Sequence, residues 1–95
     1  MADEILVRDM ATTEQAFRNG LRFAFPEAVH ECDGVFRVVH AGAAMEIRTA
    51  PLPPRVIALL CLPRLEVCIR FTAGTPQQRQ AMLVRMDRAL QRGAG

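Results

Sequence analysis

The sequence predicts an α+β fold, a two-layer sandwich in which two helices cover one face of a mostly antiparallel, four-stranded sheet. Three observations lead to this prediction. Segments with helical spacing stand near both ends of the 95-residue chain, runs with β alternation fill its middle, and turn residues separate those runs. We expect the order (β)-α-β-β-β-β-α in a single domain, residues 1–95, because a chain of this length encloses one core.

The first helix is predicted to begin at Thr12, with Gln15 three residues later completing a capping box. Its apolar residues recur at helical spacing. The stripe comprises Phe17, Gly20, Leu21, Ala24, Phe25 and Ala28. Gly20 should allow the helix to approach the sheet closely. Pro26 should end the helix, because it disfavours helical backbone at Phe25.

The first hairpin is predicted from two alternating runs, residues 35–40 and 43–48, on either side of Ala41-Gly42. Gly42 can adopt a positive φ at this turn without a steric penalty. The resulting register pairs Val38 with Met45, Phe36 with Ile47 and Arg37 with Glu46. Apolar residues then face one another on one side and opposite charges on the other, which supports the register.

A second hairpin is predicted over residues 56–71, with Pro63-Arg64 at its tip, so that Leu59 lies opposite Cys68. Residues 49–55, which contain three prolines, should form a stiff connection, because proline cannot occupy a central strand. The alternation within residues 65–71 does not depend on the turn. The residues expected to face the core are Leu65, Val67, Ile69 and Phe71, and those expected on the other side are Glu66, Cys68 and Arg70.

The last helix is predicted to begin at Thr75, with Pro76 in its first turn and Gln78 completing a capping box. Gly93 is a natural end. Its apolar stripe comprises Met82, Leu83, Met86, Ala89 and Leu90. This stripe and that of the first helix should pack on the core side of residues 65–71.

The second face of the predicted sheet is unusually apolar for a face turned to solvent. It should carry Val35, Val39, Ala44, Ile57, Leu59, Cys61 and Cys68 between Arg37, Glu46, Arg48, Glu66 and Arg70. An apolar patch rimmed by charge indicates a partner surface, and a two-fold dimer is its simplest form. The predicted interface comprises Val39, Ile57, Leu59, Cys61, Cys68 and Arg70. Alternatively, this face is covered within the molecule, either by Ile5-Leu6-Val7 as a packed arm or by the proline-rich connection. The other interpretation of Ile5-Leu6-Val7 is an edge strand.

Composition excludes several classes of protein. The net charge is only +2, so no strong general attraction to nucleic acid or to an anionic membrane follows. All twelve basic side chains are arginine, a bias that a GC-rich bacterial genome explains as well as bidentate recognition does. No apolar run reaches the roughly 18 residues of a membrane helix, and Met1-Ala2-Asp3-Glu4 does not resemble a signal peptide. We therefore expect a cytoplasmic protein without a membrane partner.

The residues that could carry chemistry do not form a recognisable site. Cys32, Cys61 and Cys68 are odd in number and contain no C-x-x-C pair, so reduced thiols are expected. His30 and His40 add nitrogen ligands, but no four-ligand spacing appears. No nucleophile elbow, P-loop or dinucleotide motif occurs. We predict no metal and no cofactor, and an enzyme is the minority interpretation.

Arginines provide the remaining alternative. The last helix carries Arg85, Arg88 and Arg92 close together, and Arg48 and Arg55 bracket the proline-rich connection, where they could hold an anion. The leading hypothesis is a small bacterial, non-catalytic protein-interaction or assembly module that forms a homodimer or binds another protein. The alternative is a nucleic-acid-binding domain that uses these arginines, and the third is a thiol- or metal-dependent enzyme.

Overall fold

The computed structural model describes residues 4–93, and the side chains of residues 5–91. The acidic start of the chain, residues 1–3, on which the expected localisation partly rested, lies outside the described residues. In chain order the elements are β1 (Glu4–Met10), α1 (Glu14–Ala24), β2 (Val29–Cys32), β3 (Val35–His40), β4 (Ala43–Ile57), β5 (Leu60–Ala73) and α2 (Pro76–Gly93).

The strands of the described chain form one antiparallel sheet of five, in the order β1-β5-β4-β3-β2. The predicted α+β class with two helices and an antiparallel sheet is thus confirmed. Ile5-Leu6-Val7 belongs to β1, which pairs with β5 at one edge. The edge-strand interpretation of this segment is therefore correct, and the interpretation as an arm that covers the second face is wrong.

β2, at the opposite edge, is a strand that the sequence pattern does not predict. Asp33 at φ 53° and Gly34 at φ 78° form the two-residue turn that joins it to β3. His30 lies in this strand opposite Arg37. β2 has only four residues, so its alternation of side chains is too short to be recognised in the sequence. The Asp33-Gly34 dipeptide is a clearer sequence signal, because it is typical of a hairpin turn.

The β3–β4 hairpin follows the predicted register, with Val38 opposite Met45 and Arg37 opposite Glu46. Its turn has Ala41 at φ 48° and Gly42 at φ 85°, so both central residues adopt positive φ. Turns with positive φ at both positions match the twist of the flanking strands, which explains why so short a connection serves here.

The predicted second hairpin is wrong. β4 continues through the proline segment to Ile57, the chain turns at residues 58–59, and Pro63 lies inside β5. The prolines are tolerated because β3 accompanies β4 only as far as Arg48, so beyond it one edge of β4 has no neighbouring strand among residues 4–93. A missing N–H on such an edge breaks no ladder bond, and a bulge between Leu52 and Arg55 accommodates two of the prolines.

The sequence predicted the capping residue of α2 correctly, but it placed that of α1 one residue too early. Thr13 rather than Thr12 caps α1, since the Ala16 amide donates to the Thr13 Oγ1 at 3.1 Å. The capping box of α2 is confirmed: the Thr75 amide donates to Gln78 Oε1 at 2.8 Å, and the Gln78 amide donates to Thr75 Oγ1 at 3.2 Å.

Both helices and the sheet contribute to one buried core. The predicted core residues of β5 and the predicted stripe of α2 are all buried, as is the α1 stripe from Phe17 to Phe25. Gly20, however, meets α2 rather than the sheet, because a Cβ built on it would come 2.6 Å from the Cδ2 of Leu90. The close approach that glycine permits is therefore between the two helices.

Candidate interaction surface

The most unusual part of the molecule is a hairpin that extends past the core. β4 and β5 lose their outer neighbours at Arg48 and Leu65, because β3 and β1 end there, and they then continue as a pair. Every residue from 53 to 63 is exposed. We call residues 53–63 the arm. Its tip at Ala58 adopts a φ of 54°, a left-handed conformation that alanine seldom takes.

The arm carries large aliphatic side chains with little cover. Leu59 at the tip is 101% exposed. The other exposed aliphatic residues of the arm are Val56 at 69%, Leu60 at 62%, Ile57 at 51% and Leu62 at 38%. Isolated exposed aliphatic residues are ordinary in folded proteins, but a contiguous set is typical of a contact surface.

The side-chain faces of the arm follow from its register. Directly paired residues share a face, so Ile57 and Leu60 lie on one side and Val56 and Cys61 on the other. The alternation of β5 is unbroken from the buried Leu65 back to Leu60, because the bulge between Leu52 and Arg55 lies on β4. The Ile57–Leu60 side therefore continues the sheet face that points away from the core.

Prolines interrupt the hydrogen-bonding edges of the arm. Pro51, Pro53 and Pro54 lie on or just before the β4 strand of the arm, and Pro63 lies on its β5 strand. Proline cannot donate to a neighbouring strand, and it is one of the devices that stop edge strands from pairing with other chains. The arm is thus suited to contacts through its side chains rather than to the addition of another strand.

The sheet face that points away from the buried core, which we call the open face, mixes apolar and charged residues. Ile5, Val7 and Val39 are 57%, 64% and 66% exposed on it. Between them, Glu46 accepts a hydrogen bond from the Arg70 Nη2 at 2.8 Å. Glu46 also lies 3.6 Å from the Nε of Arg37. The charges at its centre are therefore partly paired within the molecule.

Cys68 lies on the open face between Val7 of β1 and Arg48 of β4, and it is half-buried. The expected pairing of Leu59 with Cys68 is wrong, because the true turn places Leu59 at the end of the arm. Of the residues predicted to form an interface, Val39, Cys68 and Arg70 lie on the open face. Ile57, Leu59 and Cys61 lie on the arm, with Cys61 on its other side.

An ion pair holds the base of the arm to the edge strand. The Arg64 guanidinium donates to both carboxylate oxygens of Asp9, the closest contact being 2.5 Å from Nη2 to Oδ2, and its Nη1 donates to the Pro53 carbonyl at 3.5 Å. The hydrogen bond from Arg64, together with the nearby charge of Arg55, lowers the pKa of Asp9 below its ordinary value. Arg64 thus links β1 to both strands of the arm.

The arginines expected to bind anions do not converge. Arg48 lies on the open face and Arg55 on the arm, opposite Cys68 and Leu62 respectively. On α2, Arg85 donates from its Nε to the Ala24 carbonyl, and its guanidinium lies 5.9 Å from the centre of the Phe25 ring. Arg88 is exposed, and the side chain of Arg92 lies outside the described residues.

Thiol and imidazole groups are also dispersed. Cys32 and Cys61 are exposed on β2 and on the arm, far apart in the sheet order. His40 packs edge-on against Phe25, with ring centres 5.3 Å apart. Within the described residues, no three side chains of His, Cys, Asp or Glu stand close enough together to hold a metal ion.

No helix in the described part of the chain is long and apolar enough to cross a membrane. Comparison of the chain with models of known protein families and with curated protein sequences found no match.

Sequence reasoning located the open face but missed the arm. A signal for the arm existed in residues 55–64, where apolar residues run without interruption between two arginines and prolines stand at both ends. A run that is apolar on both faces is typical of a strand covered on both sides. In the structure it is a two-stranded extension, and no other part of the described chain covers either side of it.

Proposed function

We propose that this protein is a non-catalytic protein-interaction module that forms a two-fold homodimer through its open face and arm. The observation that carries the proposal is the exposure of four aliphatic side chains at the tip and on the open-face side of the arm, Ile57, Leu59, Leu60 and Leu62. Full burial of one such side chain is worth about 1.5–3 kcal/mol. An arm left in water would forgo most of that free energy, and it would also expose the chain to non-specific association.

The area available favours joint use of the arm and the open face. The exposed aliphatic side chains of the arm form a contiguous patch of the kind that marks interaction surfaces. A stable interface buries about 800 Å² from each partner. Ile5, Val7 and Val39 on the open face are exposed too, and they add apolar surface to that of the arm. A dimer that used both the arm and the open face would therefore bury more apolar surface than one that used the arm alone.

The sequence along β5 favours a second copy as the partner. On the open face, β5 presents Leu60, Leu62, Arg64, Glu66, Cys68 and Arg70 in turn. A two-fold axis that crosses β5 between Arg64 and Glu66 would place each of these two charges against its opposite on the second copy, and would place Arg70 beside Leu60. The same axis would place Leu62 over the Cys68 of that copy. Cys68 would then serve as a small buried apolar residue and not as a reagent.

Oligomeric mass tests this proposal. Light scattering and sedimentation of the wild-type protein, over a wide concentration range, are expected to give a dimer. Leu60→Arg should produce a monomer, because it places an unpaired charge in a desolvated contact. Leu59→Arg at the tip should also weaken the dimer.

Val56→Arg is the matched control, because Val56 has a similar exposure but lies on the opposite side of the arm. It should leave the dimer intact. Cys68→Ser should have a smaller effect than either arginine variant of the leucines. A wild-type protein that remains monomeric at high concentration would end the proposal. A dimer that tolerates Leu60→Arg and Leu59→Arg would place the contact elsewhere on the molecule.

A further inference from the structure

We infer that a groove on the helical side of the molecule is a second docking site, which receives an acidic amphipathic helix from a different protein. The groove has a volume of about 1120 Å³ and lies between the end of α1, the β3–β4 turn and α2. It lies apart from the arm and the open face, so it does not depend on the proposed dimer.

The groove has an apolar floor and an exposed aromatic wall. Met82 and Ala89, which are 2% and 6% exposed, line the bottom, and Phe23 at the end of α1 forms a side. Phe23 is 67% exposed, whereas the other four phenylalanines among the described residues are at most 1% exposed. Aromatic side chains, phenylalanine included, are enriched in the buried centres of interfaces, so Phe23 is suited to contact a partner side chain in the groove.

The length of the groove suits a helix. Gln77, Ala81, Val84 and Arg88 of α2 all line it, and their spacing of four, three and four residues makes them one stripe along α2. The stripe lies beside the buried stripe of the same helix. From Gln77 to Arg88 it spans roughly 16 Å, about three helical turns. A groove of this shape receives the apolar face of a helix, with anchors at i, i+3 or i+4, and i+7.

The charge of the groove selects an acidic helix. Arg85 and Arg88 line it, and no aspartate or glutamate stands among its described lining residues. The bond from Arg85 to the Ala24 carbonyl and its contact with Phe25 fix that guanidinium in place. A carboxylate can pair with a fixed guanidinium at a low cost in side-chain entropy. Two arginines beside an apolar floor suit such a helix better than nucleic acid, for which several phosphate contacts are needed.

A peptide selection on the full-length protein tests the inference. The probe is a library of helical peptides of about 14 residues, each with apolar residues on one stripe and glutamate, glutamine or lysine at the flanking positions. Glutamate should be enriched over lysine next to the apolar stripe. Fluorescence anisotropy of the enriched peptide should then show a loss of affinity of about tenfold or more for Phe23→Ser and for Arg88→Glu.

Controls separate this site from the proposed dimer and from a folding defect. Leu60→Arg, on the arm, should bind the peptide as the wild-type protein does, whatever its oligomeric mass. Thermal unfolding should show that Phe23→Ser remains folded, as expected for an exposed residue. Enrichment of lysine, no enrichment, or binding that is indifferent to both groove variants would overturn the inference. Displacement of the peptide by a single-stranded oligonucleotide would assign the groove to nucleic acid instead.

Discussion

Gly20 of α1 lies against Leu90 of α2 so closely that a side chain at position 20 would collide with it. A Cβ built on Gly20 would stand 2.6 Å from the Cδ2, 3.4 Å from the Cγ and 3.6 Å from the Cα of Leu90. Carbon atoms of neighbouring side chains pack at about 3.5–4.0 Å. The separation of the two helices at this point is therefore set by the absence of a side chain on α1.

We predict that Gly20→Val lowers the free energy of unfolding by about 1–3 kcal/mol, because the added methyl groups overpack the helix contact. Leu90→Ala removes the atoms that the new side chain meets. The double variant should be more stable than the sum of the single effects predicts, with a coupling energy of about 1 kcal/mol. Urea unfolding of the four proteins measures this cycle. Additive effects, or a Gly20→Val protein as stable as the wild type, would show that the helices can separate freely.

Two phenylalanines provide a matched test of the core. Phe71 of β5 is fully buried, and the Arg79 guanidinium lies 5.5 Å from the centre of its ring. Phe71→Ala should cost about 3–5 kcal/mol, because apolar contacts are lost and a cavity is left. Phe23→Ala, at an exposed position, should change the stability by no more than about 0.5 kcal/mol. Denaturant unfolding compares them, and a cost below about 1 kcal/mol for Phe71→Ala would contradict the orientation of β5.

Acid should weaken an ion-pair group between α1 and β2. The Arg18 Nε donates to Glu31 Oε1 at 2.8 Å, and this hydrogen bond lowers the pKa of Glu31 below its ordinary value of 4.5. Because the folded pKa is the lower one, the stabilisation is complete above the unfolded pKa. It is then lost as the pH falls through the folded pKa. Between about pH 6 and pH 3, the wild-type protein should therefore lose more stability than Glu31→Gln. Urea unfolding at several pH values measures this, and parallel losses in the two proteins would show that the pair contributes nothing.

The three cysteines should react as reduced thiols at two different rates. Cys32 and Cys61 are exposed, whereas Cys68 is half-buried between its neighbours on the open face. In the folded protein, we expect Cys32 and Cys61 to react rapidly with a thiol reagent and Cys68 to react more slowly. After denaturation, all three thiols should react at the same rate. Elemental analysis of the purified protein should find no bound metal. Stoichiometric zinc, or fewer than three thiols in protein protected from oxidation, would contradict the prediction.

Features that depend on neighbouring residues could be predicted from the sequence. The capping box of α2 requires only Thr75 and Gln78, and the β3–β4 turn requires only Ala41 and Gly42. The burial of residues 65–71 follows from the alternation of side chains along any strand, whatever lies beside it. In each case the interaction is complete within a few residues, so its signal is present in the local sequence.

The course of β4 depended on the tertiary structure. Proline is tolerated in an edge strand but not in a central one, so Pro51 requires this part of β4 to be an edge. It is an edge because the pairing with β3 stops at Arg48, opposite Val35. The turn at Ala58 then separates Leu59 from Cys68 and creates the arm. Likewise, Glu31 finds Arg18 only because β2 lies beside β3, under α1. Sequence determined which residues favour strand, turn or cap, whereas the pairing of distant segments decided which of them lie together, because that pairing depends on the whole sheet and core.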